Sequence, residues 1–148
     1  MDLIFRHGTI DDLDAVFQLN GDSFAESWSH DGLKSALEDG YELLLCMDRE
    51  LLVGYLLSHS ILDEVHIMQV AVASSYQRMG IAEQLSQWLL DAKPGRKLFL
   101  EVRASNVAAQ ALYAKLGFAQ SGYRKAYYVA ESASQTREDA VLMSYENS

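Results

Sequence analysis

The chain has 148 residues, 49% of them apolar, enough to bury the core of one ordinary globular domain, and a single domain over residues 1–148 is the expectation. Twelve Lys and Arg against 21 Asp and Glu leave a net charge of −9 and a pI near 4.7, which argues against a protein that grips nucleic acid through its phosphates; it favours a basic peptide as partner, although the same charge would also simply keep the protein soluble. The apolar runs stop well short of the ~20 residues that span a bilayer, no basic-then-apolar leader is visible, and the lone Cys46 cannot form a disulfide within the chain, so a cytoplasmic protein without membrane contact, and a monomer, is expected.

Residues 3–6 read as a first strand. Thr9 is placed to cap a helix with Asp11 and Asp12 in its first turn and Leu13, Val16, Phe17 and Asn20 at helical spacing. Ser29 starts a second helix on similar grounds, and its apolar face, Leu33, Ala36 and Leu37, ends before Gly40. Residues 41–48 and 51–60 read as a hairpin turning at Arg49-Glu50, and Asp63-Glu64 leads into a third strand at 65–72. Ile81, Ala82, Leu85, Trp88 and Leu89 then form one broad stripe of a core-facing helix, which Pro94-Gly95 ends. A buried strand at 98–102 follows, then a helix at 106–116 closed by Gly117 in a left-handed cap. Two closing strands, 118–128 and 138–145, flank the polar segment 131–136. Three consecutive strands after two helices predict antiparallel pairing, and the strand-helix-strand unit from 65 to 102 predicts one parallel neighbour. The fold class is therefore mixed α/β, a mixed sheet with helices packed on its faces.

Three places can carry chemistry. Gln77-Arg78-Met79-Gly80-Ile81-Ala82 joins a strand to a helix, where unpaired backbone N–H groups and the helix dipole favour an anion. Gly80 allows close backbone approach and Arg78 adds countercharge, so the run reads as a phosphate cradle of the acyl-CoA kind; the alternative is a plain turn. Glu101 is the one carboxylate in the apolar strand Leu98-Phe99-Leu100-Glu101-Val102, where burial would raise its proton affinity toward that of a useful base; alternatively it points at water. Asn106, Ala109 and Tyr113 share one face of a helix whose opposite stripe, Val107, Ala108, Ala111, Leu112 and Leu116, reads as core, which leaves Tyr113 either functional or merely at the surface. His7, His30, His59 and His66 do not cluster at metal-ligand spacing, and no metal is assigned. The loop lacks both the Gly-Lys-Ser/Thr of a nucleotide triphosphatase and the three-glycine dinucleotide pattern.

These segments together carry a resemblance. Val70-Ala71-Val72, Tyr76 through Ala82, Leu100-Glu101-Val102-Arg103-Ala104-Ser105-Asn106 and Ala111 through Phe118 resemble the GNAT superfamily of acetyl-CoA-dependent N-acetyltransferases. The segment 100–106, Tyr127-Tyr128 and Arg137-Glu138-Asp139-Ala140 with Met143 are similar to its RimI branch, which acetylates the N-terminal alanine of protein eighteen of the small ribosomal subunit. The resemblance spans essentially the whole chain. It implies a mostly antiparallel seven-stranded sheet with a central parallel pair and four flanking helices. It further implies acetyl-CoA as cosubstrate, with the backbone of Val70, Ala71 and Val72 on the pantetheine arm and Arg78, Met79, Gly80, Ile81, Ala82 and Glu83 around the pyrophosphate. Asn106 would contact the cofactor, Glu101 would be the general base and Tyr113 the general acid. The chain departs from the family pattern at Ala82, usually glycine, and at Ala73-Ser74, usually Asp-Pro.

Direct attack on a thioester needs a neutral amine. Deprotonation at pH 7 costs about 1.4 kcal/mol for an α-amino group and about 4.6 kcal/mol for lysine, so one modest base suits a chain terminus. An acetyltransferase of lysine side chains or small amines would show the same cofactor half, and a catalytically inactive CoA-binding module is the rival from another class. Cys46, in an apolar strand, reads as core and not as an acyl carrier.

Overall fold

A computed structural model describes residues 2–24, 27–128 and 137–147. The elements follow in the order β1 (Leu3–His7), α1 (Leu13–Ser23), α2 (His30–Glu38), β2 (Glu42–Asp48), β3 (Leu51–Ile61), β4 (Glu64–Val72), α3 (Ile81–Ala92), β5 (Lys97–Arg103), α4 (Val107–Leu116), β6 (Ala119–Tyr128) and β7 (Glu138–Glu146). Short 3-10 turns stand at Ile10–Asp12 and Ser74–Tyr76. The strands form one seven-stranded sheet in the order β1-β2-β3-β4-β5-β7-β6, in which only β4 and β5 run parallel. The expected fold class is what the structure has. The polar segment at 131–136 lies outside the described residues.

Local chemistry accounts for the helix starts. Thr9 caps the first 3-10 turn in a reciprocal capping box with Asp12, and Asp12 also receives both guanidinium nitrogens of Arg6, at 3.0 and 2.7 Å. Ser29 accepts from the Gly32 N–H at 2.9 Å to open α2. Each helix then buries one stripe. Leu13, Val16 and Leu19 of α1 and Leu33 of α2 cover one face of the sheet, with Leu43, Leu45, Tyr55, Leu57 and Ala71 beneath them. Ile81, Leu85 and Leu89 of α3 and Tyr113 of α4 cover the other, over Leu44, Leu56, Val65, Ile67, Leu98 and Leu100. Each fully buried aliphatic side chain contributes about 1.5–3 kcal/mol, so these two layers hold the helices to the sheet.

On α4 the expected core stripe holds only in part: Leu112 and Leu116 pack against the α3/α4 cluster as expected, but the rest of the stripe does not. Val107, Ala108 and Ala111 are exposed, and Tyr113 is the buried residue of the helix. Small apolar side chains at most positions give this helix a weak stripe, and the large ring of Tyr113 takes the core by size.

A close approach seats α3. A Cβ on Gly54 of β3 would lie 2.9 Å from Ile81 Cγ2 and 3.3 Å from the Ala71 carbonyl, so glycine lets the first residue of α3 sink onto the sheet between β3 and β4. Gly54→Ala is expected to destabilise the protein by about 1–3 kcal/mol through overpacking. Urea unfolding checks this, and an unchanged midpoint would show that Ile81 is not locked there.

Candidate active site

The parallel pair is short. β4 bonds to β5 only over Glu64–Ile67 against Lys97–Leu100; beyond that point β4 continues along β3, while Glu101–Arg103 follow β7. The parting coincides with a bulge. Leu57 of β3 pairs with Gln69 and Ser58 with Ile67, which leaves Met68 as an extra residue in β4. Its effect on side-chain direction is visible in the packing. Val65 and Ile67 lie in the α3/α4 cluster, and so do Val70 and Val72, where unbroken alternation would have put 69 and 71. From Gln69 to Val72 the β5-facing edge of β4 has no strand partner among the described residues. Such an edge can bind an extended amide-bearing arm as an added strand does, and Val70, Ala71 and Val72 stand on it.

The loop after β4 is built as an anion cradle requires. Ser74–Tyr76 form a 3-10 turn in which the Tyr76 N–H reaches the Ala73 carbonyl at 2.8 Å, and the Tyr76 hydroxyl donates to Asp48 at 2.6 Å. These two bonds anchor the turn that follows Ala73. Arg78 (φ +65°) and Gly80 (φ +78°) both take the left-handed conformation, and no atom lies within 4 Å of a Cβ built on Gly80. The first turn of the 12-residue α3 follows directly, with its N–H groups unpaired within the helix. The open approach, the helix start and Arg78 fit a pyrophosphate. Met79 is largely exposed. The Glu83 carboxylate pairs with Lys115 at 2.7 Å, which ties α3 to α4. Asn106 is the N-cap of α4, its side chain accepting from the Ala109 N–H at 3.1 Å.

Glu101 and Tyr113 lie on opposite faces of the sheet. Leu98, Leu100 and Val102 point into the α3/α4 cluster, so alternation turns Phe99, Glu101 and Arg103 to the other side. Glu101 is not sealed in an apolar site as its neighbours in sequence suggest: its side chain is 32% exposed, and Oε1 lies 3.5 Å from Arg124 Nη2. Tyr113 is buried with Phe118 edge-on at 5.3 Å, and its hydroxyl is 3.2 Å from Ser86 Oγ of α3. Burial pushes the Tyr113 phenol up to about 12, against the smaller opposing effect of Ser86, so it is protonated throughout the neutral range. It belongs to the same cluster as Val70 and Val72. Cys46 is buried and its thiol is pushed up by burial, as suits a core residue. Among the described residues no group of His, Cys, Asp and Glu is arranged to hold a metal ion.

Several contributors were not singled out as site residues from the sequence. Arg124, whose guanidinium lies over Tyr127 at 5.0 Å, reaches Glu101 across β7. Asp139 accepts from the Ala126 N–H at 2.7 Å and the Tyr123 hydroxyl at 2.8 Å, propping the irregular stretch of β6 that carries Tyr127. Glu138 accepts from the Ser105 N–H at 2.7 Å and from Arg103 Nη1 at 3.1 Å, clamping the turn that aims α4. A buried network joins Asn20 of α1 to the Tyr55 hydroxyl (2.8 Å) and to Gln69, and the Trp28 N–H donates to Asn20 Oδ1 at 2.7 Å. All of these depend on residues distant in sequence.

The family model described as Acetyltransferase (GNAT) family matches residues 13–118. The chain belongs to the GNAT family of acetyltransferases. A relative from Bacillus subtilis named a putative [ribosomal protein bS18]-alanine N-acetyltransferase is 32% identical over 93% of this chain and 91% of its own. The [ribosomal protein bS18]-alanine N-acetyltransferase of Escherichia coli strain K12 is 33% identical over 89% of each chain. The crystal structure of the ribosomal-protein-S18-alanine N-acetyltransferase from Escherichia coli superposes with a TM-score of 0.92 at 31% identity, covering 99% of this chain and 95% of the other. In this GNAT protein, then, the gap between β4 and β5 and the loop before α3 are parts of an acetyltransferase.

Glu138 makes the α4 turn sensitive to acid. The Ser105 and Arg103 contacts hold its carboxyl below the usual range, so its stabilising effect is complete above the ordinary carboxylate value of about 4.3 and is lost as the pH falls through its lower folded value. Glu138→Gln is expected to lower stability at pH 7 and to flatten the acid limb. Denaturation midpoints from pH 7 down to pH 3 check it, and a variant with the wild-type acid limb would refute the clamp.

Proposed function

We propose that the protein is an acetyl-CoA-dependent N-α-acetyltransferase whose acceptor is the N-terminal alanine of a small-subunit ribosomal protein, protein eighteen, so that it works in the cytoplasm. The observation that carries the reaction is the gap opened at Met68, with a candidate base on one face of the sheet and a candidate acid on the other. Identity above 30% over about nine-tenths of the chain to proteins named for this acceptor supports the choice of amine.

Acetyl-CoA supplies the acetyl group as a thioester. The unpaired edge of Val70, Ala71 and Val72 would hold its pantetheine arm, and the loop from Arg78 to Glu83 its pyrophosphate, with Asn106 at the head of α4 close to the cofactor. The α3/α4 face is filled by core side chains, whereas among the described residues no helix covers β5, β7 and β6 on the Glu101 face. The amine therefore enters from the Glu101 face. Glu101 accepts a proton from it, Arg124 orients that carboxylate, and Tyr113 returns a proton to the departing sulfur from the other side. Burial keeps the Tyr113 phenol protonated across the neutral range, so it holds a proton that can be given to the departing thiolate. A terminal ammonium is about 3.3 kcal/mol cheaper to deprotonate at pH 7 than a lysine, and the net charge of −9 suits a basic acceptor segment.

Mass spectrometry with acetyl-CoA and two basic peptides, one with a free N-terminal alanine and one with a blocked terminus and free lysines, is expected to show acetyl on the first alone. Transfer to lysine only would place the protein among lysine acetyltransferases, and CoA binding without any transfer would make it a binding module. Tyr113→Phe is expected to keep acetyl-CoA affinity and lose about 100-fold in turnover. Full turnover by that variant would remove Tyr113 from the acid role.

A further inference from the structure

The amide of Gln69 is oriented by its buried neighbours. The Trp28 backbone N–H, a group that can only donate, bonds to Asn20 Oδ1 at 2.7 Å. Asn20 is fully buried, and this bond decides which end of its carboxamide faces the sheet. Its Nδ2 donates there to the Tyr55 hydroxyl at 2.8 Å and to Gln69. The Gln69 atom that receives it must be Oε1, and the Tyr55 hydroxyl donates to the same oxygen at 3.0 Å. Burial pushes the Tyr55 phenol up to about 12, so the hydroxyl keeps the proton it donates at neutral pH. The polarity therefore runs in one direction, from the Trp28 backbone through Asn20 and Tyr55 to Gln69.

With Oε1 accepting twice, the N–H groups of Gln69 Nε2 are left over, and among the described residues they have no acceptor. Nε2 is also not among the buried polar atoms that lack a partner, and Gln69 as a residue is only half-buried, so this donor is open to a ligand. Its position is beside the opening. Gln69 is the first residue of β4 beyond the bulge, on the edge that β5 no longer pairs. Ala71, two residues on, packs in the α1/α2 layer, so alternation puts the Gln69 side chain on the same side of the sheet as Glu101. Leu13, Val16 and Leu33 cover β2, β3 and β4 on that side but not β5. Gln69 thus stands at the border between the covered and the open half of the amine face.

A donor at this place distinguishes two kinds of amine. The nitrogen of a chain terminus is separated from a peptide carbonyl by its own Cα alone, whereas a lysine nitrogen ends a flexible four-carbon stem. A terminal residue with its nitrogen in the opening brings a carbonyl oxygen to the wall of the site. A lysine brings methylene groups, which displace water from the Gln69 N–H groups and give them no acceptor in return.

We infer that Gln69 is a specificity-determining residue, its Nε2 donating to the carbonyl oxygen of the acceptor's first residue and so selecting a chain-terminal α-amine over a lysine ε-amine. Asn20 and Tyr55 are positioning residues that hold the amide in its donating orientation.

This selection presupposes the acetyl-transfer reading above, and a pair of acceptors separates the two. Initial rates with acetyl-CoA are measured for the alanine-initiated peptide and for the same peptide with its first amide replaced by a trans alkene, which keeps the shape and removes the carbonyl. Wild type is compared with Gln69→Glu and Gln69→Met, and acetyl-CoA affinity is followed by calorimetry. Gln69→Glu keeps an oxygen for Asn20 and Tyr55 but puts a second oxygen where the N–H groups were, and Gln69→Met removes both polar atoms. Both variants are expected to lose about tenfold in kcat/KM for the alanine-initiated peptide, as suits one hydrogen bond whose partner is left unpaired, and to stay within about twofold of wild type on the alkene peptide. Acetyl-CoA affinity is expected to keep its wild-type value, which also shows that the variants fold. An equal loss on both acceptors, no loss on either, or weakened acetyl-CoA binding in both variants would overturn the selective role of Gln69 and leave the acetyl-transfer reading intact. A wild-type protein that transfers acetyl to no α-amine would remove both.

Discussion

One extra residue in a central strand, Met68 of β4, is the constraint on which the site depends. In a regular parallel pair β4 and β5 would stay bonded along their length, and the sheet would have no opening at its middle. The bulge bends β4 away after Ile67 and reverses which side chains face each helical layer, so Val70 and Val72 continue the packing that Val65 and Ile67 began. An unpaired strand edge inside a sheet is costly unless something else satisfies it. Here the edge from Gln69 to Val72 faces a gap that a linear amide can fill.

The surroundings hold that geometry in place from both faces. On the α1/α2 side Gln69, the first residue after the bulge, contacts Asn20 and accepts from the Tyr55 hydroxyl at 3.0 Å, and burial pushes the Tyr55 phenol up to about 12. Polar groups buried this completely tolerate few alternative arrangements, because each lost hydrogen bond leaves an uncompensated atom. On the α3/α4 side the close contact of Ile81 with Gly54 places the start of α3 beside the end of β4. The gap and the loop before α3 are therefore held in a fixed relation. The two candidate groups divide between the same two faces, Glu101 on the open one and Tyr113 in the apolar one.

Much of this was legible from residue types. Alternation and turn residues located the seven strands, and Thr9, Ser29 and Gly117 marked helix ends where the structure has them, because caps and left-handed turns are satisfied by neighbours in sequence. The loop with Arg78 and Gly80 was recognisable for the same reason. The faces of α4 were not: with Val107, Ala108 and Ala111 all apolar, periodicity cannot choose a stripe, and contact with Phe118 and Ser86 decided that Tyr113 is the buried one. The surroundings of Glu101 were equally hidden. Four apolar neighbours along the strand suggest burial, yet Arg124 comes from two strands away.

The sequence by itself determined the element order and the one parallel connection, since these follow from local hydrogen bonding and side-chain periodicity, while the loop around Gly80, Glu101 and Tyr113 stood out as candidates whose roles rest on the family resemblance. Only the tertiary structure decided that β7 inserts between β5 and β6, that Met68 is the residue left unpaired, and that Glu101 and Tyr113 stand on opposite faces of the sheet. Register and strand order are set by which distant side chains pack together, and that competition is settled across the whole sheet at once.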